Sequence, residues 1–439
     1  MTGLLAPAER LPIVAGAARS RSRRSLAFDP YEALNVALLM YFLLNGILNV
    51  PASIAKTAGL FTTAFFWVGV SFVIFRNRVR IRWDLWTCRF AFVFLAYTSA
   101  SVVWGTQAAH VFAYPIITGT LSFLYFNYLI DRKTTYEFTR LMLWACGILL
   151  LGSIVAALFV PSIGIDSGIN DPNNRGAWQG VFGQKNQLGI ATALAMAFSL
   201  GQRSRNNADR LLQALVFCEA VLCARGSESR EAWLAIALQV VALVVLFLLR
   251  KIRISSRPPI VIVGSVLAVV IGVLIYTNLD AALGLIGRST TASGRTNIWR
   301  DSLMLVGRRP LLGYGTYGVW RTPIAWPVIV REGWNVPSSH NNYVEILLYY
   351  GFVGMALFAP LLISGFIYMY RASLSRHLAE YQVHIYVLFG LAVLSMAAPL
   401  IVYYPAIGML TLLYSTSSLE RVDRTQSRIP SLRRRRFIV

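Results

Sequence analysis

Four basic side chains lie where predicted apolar helices begin or end, and all fall on the same predicted face of a membrane. They are Lys185, Arg225, Arg230 and Arg295. Ionisable groups at such depth are costly unless they are paired or hydrated. As a set they indicate an anion site. The anion available at an outer leaflet is a lipid phosphate or diphosphate, and the planar guanidinium of Arg can bind two phosphate oxygens at once. For each residue alone, the alternative is a side chain that extends to the lipid headgroups.

A histidine on the same predicted face could accept a proton. A hydroxyl is a poor nucleophile until it loses its proton, which a neutral imidazole with a pKa near 6.5 can accept at pH 7. His377 and His384 lie at the predicted inner side, and His110 lies in an outer turn without neighbouring cations. His340 shares the outer face with the basic residues and precedes a predicted helix start near Asn341–Tyr343, which disfavours imidazolium. The residues alone also allow an interfacial histidine bonded to headgroups.

Motifs of several enzyme classes are absent from the sequence. It contains no Asp-x-Asp, Glu-x-Asp or Asp-x-Glu, the acidic pairs with which metal-dependent glycosyl transfer holds its cation. It also contains no P-loop, no GxSxG and no HExxH. We therefore expect no metal and no cofactor, and we expect Arg and Lys to stabilise any diphosphate leaving group.

Composition indicates an all-α integral membrane protein. Of 439 residues, 56% are hydrophobic and 14% are charged, against about 25% charged in soluble domains. The four cysteines lie in apolar stretches without CxxC spacing, which excludes a disulfide framework or zinc site. The net charge of +22 would suggest nucleic acid in a soluble protein, but here its location indicates topology.

Uncharged runs predict about twelve transmembrane helices. A helix needs about 20 residues to cross the hydrocarbon, so the runs 90–130 and 381–419 are each long enough for two helices. The first of these turns near residues 105–107, and the second turns between Pro399 and Pro405. The uncharged runs cover 33–55, 57–75, 90–130, 141–165, 186–202, 232–249, 258–279, 346–370 and 381–419. One more predicted span, about 207–224, is short and carries Glu219.

The distribution of Lys and Arg predicts that both termini are cytoplasmic. With an even number of spans, 29 of the 41 cations fall in inner segments and 12 in outer segments, as the positive-inside rule requires. We divide the chain into a basic N-terminal tail (1–32), a polytopic membrane domain (33–419) and an Arg-rich C-terminal tail (420–439), without a cleaved signal peptide. Two outer loops, about 162–185 and 280–340, are too long to be mere connectors. Within the second, Trp299, Leu303 and Val306 recur at helical spacing, which predicts an amphipathic helix at 296–306 on the outer leaflet.

Motifs on these outer loops resemble the O-antigen ligase and O-antigen polymerase superfamily. The sequences at 293–299 (SGRTNIW), 310–315 (PLLGYG), 340–345 (HNNYVE) and 350–354 (YGFVG) carry the resemblance. The sequence at 181–189 (VFGQKNQLG) resembles the exopolysaccharide-polymerase branch, and that at 227–231 (SESRE) resembles the central Ser-Arg element of the family. Together the motifs cover the chain from about 175 to 354.

The resemblance implies a bacterial inner-membrane glycosyltransferase with an undecaprenyl-diphosphate-linked oligosaccharide as donor. Transfer to an acceptor glycan would be inverting and metal-independent, in contact with membrane lipids and in concert with chain-length regulators and export proteins. His340 corresponds to the catalytic histidine of the family, and Arg230 and Arg295 correspond to its diphosphate-binding arginines. Lys185 matches the exopolysaccharide branch, which favours a polymerase. Further candidates for substrate contact are Arg175, Arg225, Asn186 and Asn341.

Two alternative functions follow from the same sequence. A ligase that transfers finished glycan to a lipid A-core acceptor is the nearest alternative. A lipid-linked oligosaccharide transporter would also suit twelve spans, but it needs polar groups through the midplane. Here the polar residues gather in the outer loops, which favours an enzyme.

Overall fold

The computed structural model describes an α-helical protein. It describes residues 29–44, 52–105, 113–169, 174–264, 295–320, 322–375, 378–396, 398–402 and 406–427. In these ranges the extended structure is limited to an isolated antiparallel bridge between Ile165 and Trp178. The predicted all-α class is therefore confirmed for the described residues.

The helices are numbered here in chain order. Their bounds are α1 Pro30–Leu43, α2 Ala52–Asn77, α3 Trp86–Ala100, α4 Ala113–Arg132, α5 Thr135–Phe159, α6 Pro161–Gly164, α7 Lys185–Gly201, α8 Asn207–Ser227, α9 Arg230–Lys251, α10 Arg295–Arg308, α11 Trp326–Glu332, α12 Asn342–Ser373, α13 Leu378–Leu394 and α14 Ile407–Ser427.

Five segments within the described ranges are long and apolar enough to cross a membrane. They are Ser53–Asn77, Trp86–Val103, Thr135–Phe159, Arg230–Lys251 and Asn342–Ser373. The other helices are shorter or more polar, and of the predicted span 258–279 only the helical part up to residue 264 is described. The multi-pass character of the chain is thus supported, and the total of twelve spans stays a prediction.

The two long apolar runs break close to the predicted positions. In the first, α3 ends at Ala100 and a short 3-10 turn leads to Gly105. In the second, α13 ends at Leu394 and α14 begins at Ile407, on either side of the predicted turn. Proline cannot continue a helix without loss of a hydrogen bond, and Pro399 lies between these two helices. α14 continues to Ser427, into the predicted C-terminal tail.

Local capping sets the start of the helices that surround the predicted outer loops. Ser229 caps α9 by accepting from the Ala232 amide, and Asn341 caps α12 by accepting from Tyr343 and Val344. Ser and Asn satisfy amide donors that the first helical turn leaves open. The helix predicted at 296–306 is present as α10, which packs on α12.

The face that α10 buries differs from the spacing on which it was predicted. The prediction rested on Trp299, Leu303 and Val306, but Leu303 is about half exposed. The buried side chains of α10 are Ile298, Asp301, Ser302, Leu305 and Val306. Asp301 forms an ion pair with Arg331 in the last turn of α11. A polar contact thus sets part of the buried face, which apolar spacing alone does not reveal.

Candidate functional site

His340 lies in a turn whose backbone is held from several directions. Its φ angle is 52°, in the left-handed region that is uncommon for residues with a Cβ. The preceding residue, Ser339, is fully buried. The Ser339 amide and hydroxyl lie 2.9 and 2.6 Å from Oε2 of Glu345, and the Ser339 carbonyl accepts from Nε1 of Trp299 at 2.9 Å. These contacts fix the backbone on which the imidazole is carried.

The residues after His340 anchor the turn to the start of α12 and to the segment between α13 and α14. Oδ1 of Asn341 accepts from the Tyr343 amide at 2.9 Å and from the Val344 amide at 3.3 Å. Asn342 is fully buried. Its backbone amide donates to the Ser395 carbonyl, and its side-chain Oδ1 accepts from the backbone amide of Ile401. α12 therefore begins where the sequence predicted, and His340 lies directly before its positive end.

An ion pair between Arg295 and Glu231 lies within electrostatic range of His340. Arg295 is the first residue of α10, and Glu231 is the second residue of α9. The other oxygen of Glu231, Oε2, accepts from the Ser229 hydroxyl at 3.0 Å. The structure thus brings two predicted site residues, Arg295 and His340, together with an acid that the sequence analysis did not single out.

Burial and charge keep the imidazole neutral. Burial and, to a smaller extent, the Arg295 guanidinium lower the pKa of His340 to about 4, against the opposing effect of the Glu231 carboxylate. The ring of Trp334 lies 6.1 Å from the imidazole, centroid to centroid. At neutral pH the imidazole is therefore able to accept a proton, with a cation close by.

The loop 162–185 packs against the turn between α8 and α9. The Trp178 amide donates to the Gly226 carbonyl at 2.8 Å, and a Cβ at Gly226 would lie 2.3 Å from the Trp178 ring. Lys185 begins α7, and Gly189 one turn later packs so closely on Ser229 that a Cβ there would lie 2.5 Å from its hydroxyl. Residues i and i+4 share a helix face, so Lys185 lies on the side of α7 that faces the start of α9.

The other predicted site residues are more exposed. Arg225 near the end of α8 and Arg230 at the start of α9 are exposed, and Arg175 is exposed in the loop 162–185. These three have no ion-pair partner within the described ranges. Asn186, the second residue of α7, is half-buried. Their roles stay predictions, since nothing in their contacts assigns them a ligand.

The sequence analysis missed several residues that support the site. Glu231, Ser339 and Glu345 provide contacts to Arg295 or to the His340 turn. Trp320 donates to Oε1 of Glu345 at 2.6 Å. Glu345 lies five residues after His340, about one and a half helical turns further on, and its hydrogen bonds reach Ser339. In the described ranges no three His, Cys, Asp or Glu side chains lie close enough to hold a metal ion, and metal independence stays a prediction.

Two comparisons with known proteins concern the family that the motifs resemble. Residues 214–359 match the family model described as O-Antigen ligase, a range that contains Glu231, Arg295, His340 and Glu345. The chain is also similar to the exopolysaccharide production protein ExoQ of Rhizobium meliloti (strain 1021), with 27% identity over 200 residues. That alignment covers 43% of this chain and 45% of the relative, so less than half of the relative's length is matched. The resemblance to the O-antigen ligase family and its exopolysaccharide branch is confirmed.

Proposed function

We propose that this protein is a polysaccharide polymerase of the bacterial inner membrane. It transfers oligosaccharide repeat units from undecaprenyl diphosphate onto a growing glycan at the periplasmic face. The observation that carries the proposal is the neutral imidazole of His340 close to the Arg295–Glu231 pair. The match to the O-antigen ligase family and the similarity to an exopolysaccharide production protein support it.

In the proposed reaction His340 is the general base. Its neutral imidazole accepts the proton of an acceptor hydroxyl, whose oxygen forms a bond to the anomeric carbon of the donor. The bond between that carbon and the diphosphate oxygen breaks, and undecaprenyl diphosphate leaves with the electron pair. A single displacement of this kind inverts the anomeric configuration. Arg295, together with Arg230 and Lys185, stabilises the negative charge of the leaving group without a metal ion.

The remaining candidates have less direct roles. Arg175, Arg225 and Asn186 come from the two segments that pack together at the start of α9, and we assign them to contacts with the diphosphate or the first sugar. The oxygen of Asn341 caps α12, so its amide group is the part that could donate to the substrate. Chain-length regulators and export proteins complete the set of proposed partners.

A ligase is the second candidate, because the matching family model is described as O-Antigen ligase. A ligase would use the same base and the same cations, and it would differ in the acceptor, a lipid A-core. The motif around Lys185 and the name of the similar exopolysaccharide protein favour the polymerase. A transporter for lipid-linked oligosaccharide is disfavoured, since translocation requires neither a general base nor a cation beside it.

Deletion of the protein followed by complementation tests the proposal. Loss of secreted polysaccharide with a normal lipopolysaccharide ladder would support the polymerase, and loss of the ladder alone would support the ligase. Complementation with His340→Gln keeps a hydrogen-bonding side chain but no base, and we expect no polymer at a normal protein level. Near-normal polymer from this variant would show that His340 does not accept the proton.

A further inference from the structure

The backbone of His340 has a conformation that its own side chain does not favour. A positive φ is disfavoured for residues with a Cβ, and it persists where neighbouring contacts over-determine the turn. The His340 amide donates to the Ser338 hydroxyl at 3.2 Å, and most other contacts of the turn are made by Ser339. The side chain that holds Ser339 therefore decides where the imidazole lies.

Glu345 is that side chain, and it is fully buried in the first turn of α12. Its Oε2 accepts from the Ser339 amide at 2.9 Å and lies 2.6 Å from the Ser339 hydroxyl. Its Oε1 accepts from Nε1 of Trp320 at 2.6 Å. Trp320 is buried and follows the glycine-rich turn at 310–318. One carboxylate thus joins the glycine-rich segment, the His340 turn and α12.

The donors around Glu345 require both oxygens of its side chain to accept hydrogen bonds. The Ser339 amide and the Trp320 indole can only donate, and they face opposite oxygens of the carboxylate. An amide side chain of the same size has one oxygen and one NH₂ group. Whichever way it turns, its NH₂ group faces a donor, so one buried hydrogen bond becomes a repulsive contact. A carboxylate is needed here because of this geometry.

The same clamp links the base to the helix that carries Arg295. The carbonyl of Ser339 accepts from Trp299, which lies about one turn after Arg295 on α10. Glu345 and Trp299 hold the amide and the carbonyl of the same residue. Release of Ser339 by Glu345 would therefore change the position of the imidazole relative to the Arg295–Glu231 pair, while that pair keeps its own contact with Ser229.

We propose that Glu345 is a positioning residue for His340, which acts through Ser339 and does not touch the reacting atoms. The proposal rests on the proposed function for its catalytic consequence and on geometry alone for the placement of the imidazole. It assigns to Glu345 a role in turnover, whereas binding of the lipid diphosphate stays with the basic side chains.

Four purified variants test this assignment: Glu345→Gln, Trp320→Phe, the double variant, and Glu332→Gln as a control. Glu332 is a half-buried acid at the end of α11 in the same long loop. We expect Glu345→Gln to lower kcat with lipid-linked oligosaccharide at least 10-fold, while KM for this donor changes less than 2-fold. We expect the control variant to retain wild-type kinetics.

The double variant separates positioning from a general loss of stability. Trp320→Phe removes the opposing donor, so the amide side chain introduced by Glu345→Gln can turn its oxygen to the Ser339 amide. We expect the double variant to be several-fold more active than Glu345→Gln alone. Equal or lower activity of the double variant, at an equal fraction of protein that binds donor, would overturn the assignment.

A second measurement does not depend on transfer. Diethyl pyrocarbonate modifies neutral imidazoles, and mass spectrometry resolves the peptides of the four histidines. We expect the rate at His340 to change several-fold in Glu345→Gln, to return towards wild type in the double variant, and to be unchanged in Glu332→Gln. If wild-type protein fails to transfer sugar but these rates follow the pattern, the proposed function fails and the placement holds. Unchanged rates at His340 in Glu345→Gln would overturn the placement.

Discussion

The protonation of His340 is the property that most directly tests the site. With the pKa of His340 near 4, about 9% of the imidazole is protonated at pH 5, against about 97% for an ordinary histidine with a pKa of 6.5. The neutral fraction at pH 5 is thus about 30-fold larger than for an ordinary histidine. A base must be neutral to accept a proton, so activity is present above the pKa and lost as pH falls through it.

The assay is the pH dependence of kcat/KM for transfer from lipid-linked oligosaccharide by purified protein. This ratio reports the pKa of the free enzyme. We expect it to change little between pH 7.5 and pH 5.5 and to fall by half near pH 4. A fall by half near pH 6.5 would refute the account of burial and charge around His340.

Replacement of Arg295 by Gln changes this profile in a defined direction. Loss of the guanidinium removes a cation that lowers the pKa of His340, and it leaves Glu231, which raises that pKa, without its ion-pair partner. Both effects favour imidazolium, so the pKa of His340 rises. Titration of ¹⁵N-labelled imidazole by NMR measures this even where the variant is inactive. Arg300→Gln is the matched control on the exposed face of α10.

The donor itself should act like the loss of that cation. When the diphosphate pairs with Arg295, its negative charge compensates the guanidinium and favours imidazolium. Since kcat reports the enzyme–substrate complex, its acid limb should lie at higher pH than that of kcat/KM. An acid limb of kcat at lower pH than that of kcat/KM would contradict diphosphate binding beside His340.

Further predictions concern the cations, the metal and the topology. Arg295→Lys keeps the charge but loses the two-nitrogen contact, so transfer should fall. Replacement of Arg230 or Arg295 by Ala should lose about 2–4 kcal/mol of transition-state stabilisation. Normal polymer from both Ala variants, at normal protein levels, would rule out diphosphate binding by these two arginines. Transfer should continue in EDTA, and activity that disappears and returns with magnesium or manganese would show a metal requirement. A phosphatase reporter should be active after Val319 and inactive after Ser418, and the reverse pattern would overturn the outer placement of the site.

The sequence predicted the features that depend on local composition. Long apolar runs predict helices because a helix satisfies its own backbone in lipid, and α2, α5, α9 and α12 lie close to the predicted runs. Prolines predicted the break between α13 and α14, and the spacing of apolar residues predicted α10. These features depend on residues within a few helical turns of one another, so the amino-acid sequence alone is sufficient to predict them.

The contacts that build the site depend on packing between distant segments. Arg295 and Glu231 come from different helices, Trp299 reaches Ser339 across 40 residues, and Trp320 reaches Glu345 across 25. Periodicity shows which face of a helix is apolar but not which partner covers it. For that reason the sequence could identify His340 as a possible base and Arg295 as a possible anion ligand, and a family resemblance was needed to assign their roles. Only the tertiary structure placed the two carboxylates, the half-buried Glu231 beside the cation and the fully buried Glu345 beneath the turn. A charge is stable in such surroundings only where donors from other segments converge on it.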